Sequence, residues 1–169
     1  MTTEKQLDQL LEAHLRDDES FRFWFLSKTQ KGSSYTRLVL LRSNHPWGKV
    51  RTILPNQNTG ALEAVVREAE TDVLAVLENP GGRRLALHIE NKLAGGKFTR
   101  YQPEMYAARA EAWRKNEQYE NYDDWETVLI APRSFLARNG DDARKFMSFI
   151  AHEDIAAHVP EFVAVGDTC

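Results

Sequence analysis

Four charged residues bound two short apolar runs in the middle of the chain. Glu70 and Asp72 precede Val73-Leu74-Ala75-Val76-Leu77, and Glu90 and Lys92 follow Leu85-Ala86-Leu87-His88-Ile89. Asn79-Pro80-Gly81-Gly82-Arg83 lies between the runs and reads as a turn, with Pro at the first inner position and Gly, which accepts positive φ, at the second. An antiparallel hairpin centred on Gly81 sets residues opposite one another whose numbers sum to 162, so that Asp72 faces Glu90 and Glu70 faces Lys92. Side chains alternate across a strand, which puts all four on one sheet face. Crowded carboxylates repel and call for positive charge. Mg²⁺ supplies it, taking hard oxygen ligands from carboxylates, water and phosphate. Lys92 beside the ion can orient or deprotonate a water, or stabilise a pentavalent phosphate. Metal-assisted phosphodiester hydrolysis uses all of these parts. The alternative is a solvated strand end with a surface ion pair, which contributes little. Against it, the charges terminate runs that are apolar on both faces, and such strands belong inside a covered sheet.

The pattern Asp72 … Glu90-x-Lys92 on adjacent strands, with a helix following, resembles the PD-(D/E)XK nuclease superfamily. Thr71 stands where the family name has its proline. Glu70-Thr71-Asp72-Val73 and Ile89-Glu90-Asn91-Lys92 resemble its bacterial members, and Gln102-x-x-x-Tyr106 resembles the helical motif of its exonuclease-like branch. The likeness spans residues 4–155 and is most specific over 70–106. It implies an α/β fold with a restriction-endonuclease-like αβββαβ core, a small mixed sheet flanked by helices. It also implies Asp72 and Glu90 as metal ligands, Lys92 as the group that acts on water, and Mg²⁺ as cofactor with Mn²⁺ as a substitute. The substrate would be nucleic acid, DNA ahead of RNA. Relatives often carry a further acid on the first helix, for which Glu12 is the candidate; Glu68 and Glu70 are its rivals, with Glu70 better placed by the hairpin register and taken as the third metal ligand. The alternative is a catalytically silent nucleic-acid-binding or regulatory protein on the same fold.

A helix expected over residues 101–118 carries Gln102, Tyr106, Arg109 and Trp113 along one stripe. Gln102 and Tyr106 can bond a phosphate or hold the metal-site carboxylates, as the resemblance implies, or else edge the helix and meet solvent. Arg109 is a candidate phosphate contact and Trp113 a core residue. His88 shares the face of Glu90 and reads as packed rather than ligating. Gly95-Gly96 lacks the spacing of a dinucleotide or phosphate-binding loop, so no nucleotide-cofactor site is assigned.

The elements that must hold these residues follow from periodicity. Leu7, Leu10, Leu11 and Leu15 make an amphipathic first helix, and Asp17-Asp18-Glu19-Ser20 offers caps for a second helix bearing Phe21, Trp24 and Phe25. Residues 35–41 suit a strand or a buried helix. Residues 43–60 read as a largely irregular excursion with a short strand at 49–54, where Trp47, Lys49 and Arg51 can touch a nucleotide or only protein. Residues 62–68 read as the first core strand or a helix leading into it. Residues 127–131 form a strand ended by Pro132. Asp141-Asp142 caps a helix with Phe146, Phe149 and Ile150, and residues 153–158 form a last helix.

The 169 residues, 42% of them hydrophobic, suffice for one core, expected as a single domain. A net charge of −3 gives no global positive field, so nucleic acid would have to be held by a local basic lining and by metal. One cysteine, Cys169, cannot form an internal disulfide, and the N-terminus lacks a signal-peptide pattern; both point to the cytoplasm. No apolar run is long enough to span a membrane. With no room for a separate recognition domain, specificity would come from loops, a homodimer or a protein partner.

Overall fold

The leucine stripe does produce the first helix. In the computed structural model, which describes residues 2–163, α1 (Glu4–Asp17) starts at Thr3. The Thr3 hydroxyl accepts the Gln6 N–H and the Gln6 side chain accepts the Thr3 N–H, satisfying two amides that a helix start leaves free. Asp18 ends α1 and caps α2 (Glu19–Ser27) by accepting the Phe21 N–H at 3.0 Å. The chain continues through β1 (Arg37–Arg42), β2 (Trp47–Pro55), β3 (Leu62–Glu70), β4 (Val73–Glu78) and β5 (Arg84–Asn91). It then runs through α3 (Gln102–Ala112), β6 (Asp124–Ala131), α4 (Arg133–Ala143), β7 (Ser148–Ala151) and α5 (His152–Ile155).

Five strands form one mixed sheet in the order β1-β4-β5-β6-β7. The β1–β4 and β4–β5 pairs are antiparallel; β5–β6 and β6–β7 are parallel, with α3 in the first crossover. Leu7, Leu11 and Leu15 of α1, with Phe21 and Phe25 of α2, pack on the face made by Val73, Ala75, Leu77, Leu85, Leu87 and Ile89. The other face is covered by Trp113, Tyr119 and Tyr122 over Leu74, Val76 and Ala86, and by Tyr106 and Phe135 over Leu129 and Ala131. β4 and β5 are thus apolar on both sides, as a strand covered twice must be. Among the described residues, no helix is long and apolar enough to cross a membrane. Cys169 lies outside the described residues.

The β4–β5 register is the expected one, from Val73↔Ile89 to Leu77↔Leu85. The turn chemistry differs by one residue. The Gly82 N–H donates to the Asn79 carbonyl at 3.0 Å, and Gly82, not Gly81, carries the positive φ, at +81°. A turn closed across Pro80-Gly81 and followed by a left-handed glycine is a three-residue hairpin loop with a bulge.

Five expected elements are corrected. Residues 43–60 are not largely irregular, and residues 62–68 are not the first core strand. They form β2 and β3, a hairpin in a separate two-stranded sheet, paired from Trp47↔Glu70 to Pro55↔Leu62. Its alternation is set by Val50 and Val65, which turn inward onto Tyr101 and Met105 around α3. The first core strand is β1. The helix expected from Asp141 begins instead at Arg133 behind Pro132, and Asp141 and Asp142 fall in its last turn, paired with Arg144 and Lys145. Phe149 and Ile150 lie in β7, where β6 offers a ladder that outweighs local helix propensity. The helix expected over 101–118 stops at Ala112, because Lys115 takes φ +63° and Asn116 caps a separate turn. The last helix covers only its first turn, His152–Ile155.

Gly82→Ala forces an L side chain into the left-handed region and should cost about 1 kcal/mol. Gly81→Ala meets nothing nearer than the Asn79 Oδ1 at 3.4 Å and should be close to neutral. Urea denaturation of the two variants side by side checks the assignment of the bulge.

Candidate metal centre

The site is built at the end of the β4–β5 pair. β3 stops at Glu70 and β4 starts at Val73, so Thr71 and Asp72 form a bend between the two sheets. The bend carries Asp72 to its place facing Glu90, where its Oδ2 accepts the main-chain N–H of Asn91 at 2.8 Å. Glu90 is 1% exposed. Its Oε1 takes the Lys92 ammonium at 2.6 Å and the Gln102 Nε2 at 2.6 Å, and its Oε2 accepts the Tyr106 hydroxyl. Tyr106 also accepts the Asp72 N–H at 3.2 Å. Of the alternatives open for Gln102 and Tyr106, the geometry has them holding a carboxylate. Burial pulls the Lys92 pKa down, but Glu90, Glu4 and Asp72 outweigh it and hold the group above its usual value. Lys92 is therefore an ammonium at neutral pH, suited to orienting water and stabilising negative charge rather than to removing a proton.

Glu70 does not join this face. Because β3 ends in the other sheet, the alternation that would align 70 with 72 is broken, and the Glu70 side chain is 56% exposed. Its Oε1 instead meets His45 Nδ1 at 3.2 Å. Glu12 and Glu68 are also displaced. Glu12 accepts a hydrogen bond from Ser43 and pairs with Arg16, and Glu68 sits in β3 opposite Lys49.

The acid supplied by α1 is Asp8, one turn before Glu12 and wholly buried. The sequence reading missed it, although the signal exists. Asp8 follows Leu7 directly and precedes Leu11 and Leu15 by three and seven residues, so it shares the inward face of the helix. His45 lies just before β2, in the segment expected to be largely irregular. Its Nε2 lies 3.1 Å from Asp8 Oδ2 and its Nδ1 3.9 Å from Asp72 Oδ1. Asp8, His45 and Asp72 each offer a ligand atom within 4.8 Å of the others.

Burial, with Glu90 and Asp8 nearby, pushes the Asp72 pKa up to about 9; burial raises Asp8 to about 6. These are carboxyls with too little positive charge around them. A divalent cation among two buried carboxylates and an imidazole would supply what they lack, so the donor set fits one.

Arg109 corrects a further expectation. It is fully buried and committed to the protein, donating to Thr71 Oγ1 at 2.9 Å, to the Glu70 carbonyl at 2.6 Å and to the Met105 carbonyl at 3.3 Å. It braces the bend rather than reaching for phosphate. Since Arg109 only donates, the Thr71 hydroxyl proton is free for His88 Nδ1 at 3.0 Å, and His88 Nε2 donates to the Tyr122 hydroxyl at 3.3 Å. The Tyr122 hydroxyl in turn donates to the Ala110 carbonyl. Burial, assisted by Arg109, keeps His88 neutral. His88 is thus a packed residue, and Thr71 has a structural task. Trp113 is buried beside it.

A cleft of about 420 Å³ leads in between the hairpin and α3, lined by Trp47, Arg67, Glu68, Arg100, Gln102 and Tyr106 among others. Trp47 is 67% exposed at its rim. No protein-family model, curated protein or solved structure matches this chain.

The raised acids fix a pH dependence. A carboxyl whose folded pKa lies above its unfolded value contributes stability that is present below about pH 4 and lost as pH rises through the folded pKa. For Asp72 that loss runs from about pH 4 to about pH 9, and for Asp8 it ends near 6. In EDTA, wild type should therefore become progressively less stable than Asp72→Asn across this range, by several degrees in melting temperature at pH 8. Mn²⁺ should raise the melting temperature of wild type and not that of the variant. Thermal scans of both proteins from pH 4 to pH 9, with and without metal, measure the difference.

Proposed function

We propose that the protein is a metal-dependent nuclease that hydrolyses phosphodiester bonds, in DNA first of all, and that it belongs to the PD-(D/E)XK superfamily. The observation that carries the reading is the joint placement of Asp72, Glu90 and Lys92 at one end of adjacent strands, with Asp8 brought to the same point from α1. The sheet supports it, since two antiparallel pairs followed by a parallel strand across α3 accord with a restriction-endonuclease-like core.

Asp8, His45 and Asp72 would hold the cation, with Glu90 beside them. Carboxylates suit Mg²⁺, while an imidazole among the ligands favours Mn²⁺. When bound, the ion would polarise a phosphoryl oxygen and lower the pKa of a water. The chain's own residues do the rest. Lys92 presents an ammonium next to Glu90, where it can hold the attacking water and offset charge growing on the phosphate. Gln102 and Tyr106 fix the Glu90 carboxylate so that neither oxygen swings. Arg67 and Arg100 line the cleft and are the cations available to a phosphate backbone; Trp47 at the rim offers a face on which a base can stack.

Purified protein incubated with linear duplex, circular single-stranded DNA and RNA should cleave at least one of them with Mn²⁺ or Mg²⁺ and none with EDTA. Lys92→Ala should lower the rate by at least 100-fold, on the order expected for a lost charge-stabilising group, while binding metal. Metal-independent binding of nucleic acid with no cleavage would instead establish a silent binding protein on this fold.

A further inference from the structure

Asn91 is the middle residue of Glu90-Asn91-Lys92, and alternation sends its side chain through the sheet to the face opposite Glu90 and Lys92. It is fully buried there and fully bonded. Its Nδ2 donates to Asp8 Oδ1 at 2.8 Å, and its Oδ1 meets His152 Nε2 at 2.8 Å. Its main-chain N–H is the group that holds Asp72 Oδ2. One residue therefore touches both acids of the candidate centre, Asp8 through its side chain and Asp72 through its backbone.

The orientation of the amide matters. An asparagine side chain rotated by half a turn would point its oxygen at Asp8 and repel the carboxylate. The Glu4 carbonyl, which accepts the second Nδ2 proton at 3.4 Å, favours the correct orientation from one side, and the group on the far side favours it more strongly at 2.8 Å. His152, at the start of α5, is 1% exposed, and its ring stands edge-on to Phe162 at 5.1 Å. Facing an amide oxygen, its Nε2 must donate. Burial keeps the ring neutral, with its pKa near 4, so the donor does not bring a charge. With Oδ1 of Asp8 fixed by Asn91, Oδ2 is the oxygen left toward His45 and Asp72.

We propose that Asn91 and His152 are positioning residues for the metal centre: a buried His152→Asn91→Asp8 hydrogen-bond relay on the α1 face of the sheet aims one oxygen of Asp8 at the cation. This rests on the reading of Asp8, His45 and Asp72 as ligands. Neither relay residue touches substrate or metal. Ligating carboxylates held by such outer partners typically lose about 10–100-fold in metal affinity when the partner is removed.

The test is titration calorimetry with Mn²⁺ alone on wild type, His152→Leu, His152→Gln and Asn91→Leu, with the metal-free melting temperature of each. The expected result is Mn²⁺ affinity lower by about tenfold or more in His152→Leu and Asn91→Leu. His152→Gln, which keeps an N–H donor toward Asn91, should recover most of the loss. A purely structural role lowers the melting temperature of His152→Leu and leaves its Mn²⁺ affinity at the wild-type value, which would overturn the proposal. So would a Gln variant as weak as the Leu variant. Should the Leu variants fail to fold, Mg²⁺ titration of wild type followed by ¹⁵N NMR of the His152 ring decides. The Nε2 resonance should move with the same midpoint as Mg²⁺ binding, and a resonance that stays fixed through saturation refutes the relay. Wild type that binds no metal sinks the ligand reading and the relay with it. Wild type that binds normally beside indifferent variants sinks the relay alone.

Discussion

Asp8, Asp72 and Glu90 converge at the end of an apolar sheet with Lys92 as the cation set among them, and the surrounding architecture follows from that excess of negative charge. Each acid is out of water, and water is what normally makes a carboxylate cheap to ionise. Glu90 is satisfied within the protein, since an ammonium, an amide and a phenol close around both of its oxygens. Among the described residues, Asn91 and His45 are the polar partners at the oxygens of Asp8 and Asp72, with Lys92 acting on Asp72 from farther off. The first carboxylate is therefore arranged as a fixed part of the scaffold, while burial leaves the other two with raised pKa values for want of positive charge. Counting Glu90 against Lys92 leaves two negative charges, which one divalent ion balances.

The bend at Thr71 makes this convergence possible. Had β3 run straight into β4, Glu70 would have stood beside Asp72 and the hairpin would have lain in the main sheet. Arg109 instead grips the Glu70 carbonyl and the Thr71 hydroxyl, and the Thr71 N–H is taken by the Pro46 carbonyl at 3.0 Å. That last bond ties the start of the hairpin to its end and brings His45 over the acids. A buried arginine needs every donor met, and here the meeting of those donors fixes a backbone direction.

Much of this was legible in the sequence and some was not, for reasons that differ. The β4–β5 register followed from a turn signal and two apolar runs, both local features. The grouping of Asp72, Glu90, Lys92, Gln102 and Tyr106 was legible because they lie on those strands and on the next helix. Glu70 was misplaced because a strand period says nothing of where one strand ends and another begins; only the pairing of Trp47 with Glu70 decides that. Arg109 sits on the right stripe of the right helix, yet burial and not position sets its task. Asp8 was passed over in favour of Glu12, although the leucines on either side of Asp8 place it inward. β7 was missed because a parallel edge depends on a neighbour far away in the chain.

The same geometry explains why an acid from the first helix is held by a residue rooted in the sheet itself. α1 lies on one face, against Val73, Ala75 and Ile89, whereas Glu90, Gln102 and Tyr106 lie on the other. Side chains from opposite faces can meet only past the end of a strand, where the ladder stops and nothing in the backbone fixes their separation. Asn91 is the last residue of β5 and points to the α1 side, while its neighbours Glu90 and Lys92 point to the α3 side. It is the position from which a side chain can bond Asp8 and a main-chain N–H can bond Asp72. An apolar residue there would fill the same space and take the partner from Asp8 Oδ1, leaving His45 at Oδ2 and the neighbouring leucines, which set the rotation of the helix but not the direction of a carboxylate.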